Sequence, residues 1–219
     1  MSKGLLGQIC SPAAGNSTIP GVDWCADNGV FGGKYPGDDA YLGWLGERSW
    51  AVADCAFAVA PDVVCDAQAT LDRSAAMLPA IRRVGYPVAL AAQNGLERLT
   101  VPWRAFDVLF LGGDTEWKIG PYARRLSADA RAYGKRVHMG RVNSLRRMRT
   151  AAWMGCHSAD GTYLAFGPDQ NLPKMLRWIR EVNMQPTLDD TEPCGCTPSG
   201  ECDRHYLDGD RAFERSQDV

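Results

Sequence analysis

Short apolar runs rich in Val, Ala, Leu and Phe recur along the chain. Each is followed by a Gly, Pro or Asp turn signal and then by a longer stretch whose apolar positions have helical spacing. The pattern predicts repeated βα units. Strands are expected near 5–9, 22–26, 55–60, 87–92, 107–111, 136–139 and 153–156, with an eighth near 163–166. Helices are expected over 38–51, 66–84, 121–133, 143–152 and 172–182.

Strands that alternate with helices imply a parallel sheet covered by helices, because each parallel crossover needs a connection long enough to return along the sheet. Seven or eight such units favour an α/β fold of the closed TIM-type (β/α)8 barrel class. An open doubly wound sheet is the competitor, but its usual Gly-rich phosphate loop after the first strand is missing. Residues 1–185 are read as the compact barrel, and 186–219 as an acidic, Cys-rich C-terminal segment packed on it.

With 219 residues, 45% of them hydrophobic and 23% charged, the chain has the composition of one globular domain. Roughly seven-tenths of the unfolded surface should be buried at this length. No apolar run approaches the ~18 residues of a membrane span, and the N-terminal stretch is too short and broken for a signal peptide. A soluble, cytoplasmic protein with no membrane partner is expected. Five cysteines (Cys10, Cys25, Cys55, Cys65 and Cys156) lie in apolar segments, where free thiols behave as small hydrophobes.

The formal net charge of −2 conceals opposed patches. Ten basic residues between Lys118 and Arg149 face a single acid, Asp129, whereas the stretch from Glu181 to Val219 carries ten acids and three arginines. A solvated helical face and a polyanion site both account for the basic block.

In a barrel, polar residues at the C-terminal ends of strands point into one mouth. Read in order, those positions are Asp27-Asn28-Gly29, Pro61-Asp62, Gln93-Asn94-Gly95, Gly112-Gly113-Asp114, Gly140-Arg141 and His157 to Gly161. Two or three carboxylates would converge there. Paired carboxylates suit reactions at a sugar anomeric carbon, where one is the nucleophile and the other moves a proton. Asp27 and Asp160 are the natural pair, although each alone would pass for a turn or helix-cap residue. Asp62 offers acceptors, Gln93 offers both donor and acceptors, and Gly112-Gly113 lets backbone amides approach a flat ligand. That mixture suits a purine edge, and it is equally what two tight turns would contain.

The segments 26–31, 92–95, 111–114 and 155–161, which include Asp27-Asn28-Gly29, Gln93-Asn94-Gly95, Gly112-Gly113-Asp114 and Asp160-Gly161, resemble the ordered active-site motifs of the tRNA-guanine transglycosylase superfamily. The resemblance runs from about Val22 to Pro173 and is nearer to the short phage members, which insert 7-deazaguanines into DNA. It implies that Asp160 attacks C1′ of the target nucleotide, expels guanine and holds the sugar covalently. Asp27 would take a proton from the incoming base, while Asn28, Asp62, Gln93, Gly112 and Gly113 would form the base site. The implied partners are phage DNA and a free base, 7-cyano-7-deazaguanine or a derivative, in the host cytoplasm.

The chain also departs from the family. His157 stands where an acid is common in the phage relatives, and Asp114-Thr115-Glu116-Trp117 replaces a smaller stretch in the tRNA enzymes. Cys194, Cys196, Cys202 and His205 have the composition of a closed structural zinc site, at tighter spacing than in those enzymes. Arg141, Arg146, Arg147 and Arg149 fall near the expected mouth, where cations would neutralise phosphates. Trp117 or Tyr163 would support an extruded base, unless either is core. Competing readings are the same exchange on tRNA, a hydrolase of N-glycosidic bonds, and a catalytically silent nucleic-acid-binding barrel.

Overall fold

The computed structural model describes residues 5–184. The proposed zinc residues Cys194, Cys196, Cys202 and His205, and with them the segment 186–219, lie outside the described residues.

Seven parallel strands form one sheet in strictly sequential order, β1 (Gln8–Cys10), β2 (Trp24–Ala26), β3 (Cys55–Val59), β4 (Val88–Ala92), β5 (Val108–Leu111), β6 (Arg136–Met139) and β7 (Ser158–Ala159). Sequential order means that every right-handed crossover steps the same way, which places all helices on one face of the sheet. A doubly wound sheet would reverse direction at a switch point. The result is a curled sheet of the partial (β/α)-barrel kind. Among the described residues no ladder joins β7 back to β1.

The two faces separate by strand alternation. Outward-facing Val88, Leu90, Leu109, Leu111, Val137 and Met139 join the large core. Into that core pack Tyr41 and Leu45 of α1 (Asp38–Gly46), Leu78 and Ile81 of α2 (Ala67–Arg83), Leu126 of α4 (Pro121–Ala132) and Ala151 of α5 (Leu145–Trp153). The concave face is a second, smaller cluster built only from strand residues: Phe57, Val59, Ala89, Ala91 and Val108, with Cys25 and Phe110 against it. Small side chains there leave space at the strand ends.

Local signals explain the helices. Asp66 caps α2 by accepting from the Ala69 amide at 3.0 Å, and Asp114 caps the short α3 (Thr115–Ile119) through the Trp117 amide at 2.8 Å. Ser144 caps α5, and Pro121 opens α4 where its missing N–H costs nothing. α6 (Pro168–Met184) ends the described chain.

Four expectations need correction. The apolar run 153–156 is the end of α5 and a turn through Gly155, at φ 74°; the seventh strand lies just beyond it. The stretch 163–166 holds a 3-10 turn, Tyr163–Ala165, in place of an eighth strand. The helix expected over 38–51 stops at Gly46, with a separate 3-10 turn at Ser49–Asp54. Of the five cysteines, Cys10 and Cys55 are buried as expected, but Cys65 is exposed.

Candidate functional site

The C-terminal ends of β2 to β6 and the residue after β7 surround a cavity of about 90 Å³. Asp27, Asp62 and Asp160 all line it. So do Asn28, Gln93, the paired Gly112 and Gly113, and Arg141. The catalytic and base-site residues singled out from the sequence are thus brought together from five separate loops.

One wall is a closed hydrogen-bond network around Asp62. The Asn28 side-chain amide donates to Asp62 Oδ1 at 3.0 Å and to the Ala60 carbonyl at 2.9 Å. Gln93 donates to Asp62 Oδ2 at 2.7 Å, and its own carbonyl accepts from the Cys65 amide at 2.9 Å. Each group is fixed before any ligand arrives, and each oxygen retains a lone pair for a donor-bearing ring edge. Gly112 closes the wall, since a Cβ there would fall 2.6 Å from Gln93 Nε2.

Burial pushes the Asp62 carboxyl above its ordinary value, opposed by the Asn28 hydrogen bond. Asp27 is raised too, first by burial and further by the charge of Asp160, while the Gly29 amide bonded to its Oδ1 at 2.6 Å pulls it back. Burial and a nearby carboxylate both disfavour the charged form of Asp27, so it holds a proton more readily than a carboxyl in water. Gly29, at φ 79°, makes this turn, and a side chain there would also press on the Lys34 carbonyl at 3.2 Å.

Asp160 is held from behind. Its Oδ1 accepts from the Arg141 backbone amide at 3.1 Å and contacts His138 Nε2 at 3.2 Å. Arg141 reaches that position only by adopting the left-handed region, φ 59°, which is costly for a residue with a side chain. Its guanidinium then donates to the Gly112 and Gly113 carbonyls and lies 4.3 Å from the Phe31 ring centre. Phe31 lines the cavity and is 62% exposed, with the Arg141 guanidinium over its ring.

The remaining predicted residues divide. Arg146, Arg147 and Arg149 sit on α5, behind Arg141, and none lines the cavity. Arg149 Nε donates to Glu181 at 2.7 Å, so α6 claims it. Trp117 is core: it is 8% exposed and donates to Glu97 at 3.0 Å. Tyr163 packs on Trp178 with ring centres 4.7 Å apart. His157 does not face Asp160; its Nδ1 accepts from the Val137 amide at 3.1 Å, at the other end of the strand pair. Asp114 is engaged as the α3 cap, and its own amide donates to the Asn94 side chain at 3.0 Å.

Three residues of the site carried no signal strong enough to be read from sequence. Phe31 is one apolar residue in a Gly-rich stretch, and its exposure appears only in the folded chain. His138 is a single polar residue in an apolar strand. Lys118 is fully buried and donates to the Gly140 carbonyl at 2.8 Å. Burial and the nearby Arg141 and Arg147 push its ammonium down to about 7. No described group of three or more His, Cys, Asp or Glu side chains is placed to hold a metal, and no described helix is long and apolar enough to cross a membrane.

No protein-family model matches the chain, and no curated protein matches it.

Proposed function

We propose that this chain is a base-exchange transglycosylase, a pentosyltransferase that replaces guanine in DNA with a 7-deazaguanine. The observation that carries the reading is the opening of Asp27 and Asp160 onto one cavity whose wall is the Asp62–Gln93 network and the Gly112-Gly113 backbone. In the first half-reaction an Asp160 oxygen bonds to C1′ as the C1′–N9 bond breaks, and protonated Asp27 gives its proton to the departing N9. In the second, Asp27 takes the N9 proton of the incoming base, N9 bonds to C1′, and the electron pair of the C1′–O bond returns to Asp160. The raised carboxyl of Asp27 suits a group that must both give and take a proton.

Asp62 and Gln93 read the ring edge; Gly112 and Gly113, whose amides already donate to the Ala92 carbonyl, leave it room by having no side chain, and Phe31 packs against the base. A cavity of this size admits a base only after it leaves the helix stack, so the target is flipped or single-stranded. Arg141 at the rim and the arginines of α5 behind it support a polyanion partner, because two cations in the first turn of a helix oppose its dipole and concentrate positive potential there. The sequential strand order and the site at the strand C-termini support placing the sheet in the TIM-type (β/α)8 class. Three thiols and an imidazole support a structural zinc at Cys194, Cys196, Cys202 and His205.

The test is mass spectrometry of nucleosides from DNA incubated with the chain and 7-cyano-7-deazaguanine, with Asp160→Ala as control and zinc counted in the same preparation. A mass-shifted nucleoside from the unaltered chain and none from Asp160→Ala is the expected result. Exchange on a tRNA stem-loop alone would move the reading to RNA, release of guanine without added base would make it a hydrolase, and protein free of zinc would remove the metal.

A further inference from the structure

The inward-facing side chain in the middle of β6 is a histidine; its register partner on β5 is Phe110, and Phe57 of β3 reaches it across the concave face. His138 is 3% exposed. Its ring stacks on Phe110 at 4.9 Å and 26° and meets the Phe57 edge at 4.9 Å and 65°. Burying an imidazole among phenyl rings is costly unless both nitrogens find partners. Both do. Nδ1 lies 2.8 Å from Ser158 Oγ and Nε2 lies 3.2 Å from Asp160 Oδ1.

The carboxylate fixes the direction of one of these bonds, and the charge of the ring fixes the other. A carboxylate only accepts, so Nε2 carries the proton and donates it to Asp160. In the neutral ring Nδ1 must then accept, so the Ser158 hydroxyl donates. Strand register makes the chain of bonds possible, because His138 pairs with Ser158 across β6 and β7 and Asp160 follows two residues later on the same side. Both described donors to the Asp160 carboxylate, His138 and the Arg141 amide, engage Oδ1. Gly140 leaves room for this, since a Cβ there would stand 2.9 Å from the Phe110 ring and 3.3 Å from Oδ1.

The geometry points to a Ser158–His138 relay as the positioning device of the nucleophile: it anchors Oδ1 so that Oδ2 is the oxygen presented to C1′. His138 touches no reacting atom; it acts through Asp160. In the glycosyl ester Oδ1 becomes the carbonyl oxygen, and when C1′–Oδ2 breaks the charge returns to a carboxylate already holding two donors. The relay therefore speeds release of the sugar as well as its capture. Its chemical meaning rests on the base-exchange reading, whereas its hydrogen bonds do not.

Two measurements separate the two claims. The chain contains three histidines, so imidazole 15N resonances can be assigned by substitution. In the full chain, His138 should show a protonated Nε2 and an accepting Nδ1, both shifting in Asp160→Asn, with Nδ1 shifting in Ser158→Ala. A His138 spectrum indifferent to both variants would overturn the relay whatever the protein's activity. Ser158 is exposed, so its variants leave the core intact. In the exchange assay Ser158→Ala should lower kcat several-fold and prolong the covalent protein–DNA adduct at unchanged KM for the free base. Ser158→Thr should restore both. His138→Phe should lose on the order of 10²-fold in kcat, the scale of a misplaced reacting group. A rise in KM with kcat unchanged would reject positioning. If the unaltered chain forms no adduct on any nucleic acid, the base-exchange reading and the nucleophile's role fall together, and the resonances still decide the hydrogen bonds.

Discussion

At the scale of the residue, the site joins groups that the sequence advertises to groups it hides. Asp27, Asp62 and Gln93 are legible because each follows a short apolar run, at the place where a parallel sheet delivers side chains to a common mouth, whereas Asp160 follows two exposed residues and is marked only by the motif around it. Lys118 and His138 are not legible, because a lone polar residue inside an apolar element looks the same whether it is core or functional. Lys118 has a measurable consequence. Its folded-state value near 7 lies below the ordinary 10.5, so between those values the unfolded chain binds more protons than the folded one. The contribution of this lysine to stability should therefore rise with pH from about 7 towards 10.5. Urea denaturation of the unaltered chain and of Lys118→Met across that interval is the check, and the rise should be smaller in the variant.

At the scale of the element, β3 to β6 are legible almost to the residue: β3 to β5 are continuous apolar runs bounded by turns, the signature of a strand buried on both faces, and β6, with Arg136 and His138 in it, is bounded by Gly134-Lys135 and Gly140. β7 is not. It is two exposed residues, Ser158 and Ala159, and it was displaced in the reading by the more apolar run 153–156, which instead closes α5. The 3-10 turn at Tyr163–Ala165 misled in the same way, by offering an apolar stretch of strand length. What pins β7 is its neighbour: the Asp160 amide donates to the Met139 carbonyl at 3.1 Å and the His157 amide to the Val137 carbonyl at 2.8 Å. The β6–β7 corner is consequently sensitive to a single methyl group. Gly140→Ala should cost about 1–3 kcal/mol by overpacking against Phe110. Denaturant midpoints would measure it, and a midpoint equal to that of the unaltered chain would show that Phe110 can yield without loss.

At the scale of the whole molecule, charge is arranged by sign, with the basic block reaching from Lys118 to Arg149. Composition showed the asymmetry but not which arginines are already engaged. Arg149 is bound to Glu181 on α6, whereas Arg146 sits half-buried near the start of α5. If DNA lies across this rim, Arg146→Ala should reduce the slope of log affinity against log salt by about 1, while Arg149→Ala should leave it nearly unchanged. Fluorescence anisotropy with a labelled single strand at several salt concentrations would distinguish the two. Equal slopes for both variants would place the phosphates elsewhere.

The strictly sequential order of the strands also sets a timetable. Each new strand docks beside the one made just before it, so the sheet can assemble outward from its beginning as the ribosome delivers it, at roughly 5–20 residues per second. Asp27, Asp62 and Gln93 come to rest early, and Asp160 arrives with the last described strand. On the base-exchange reading, a nascent chain would thus assemble the wall of its base site before the carboxylate that attacks the sugar is in place.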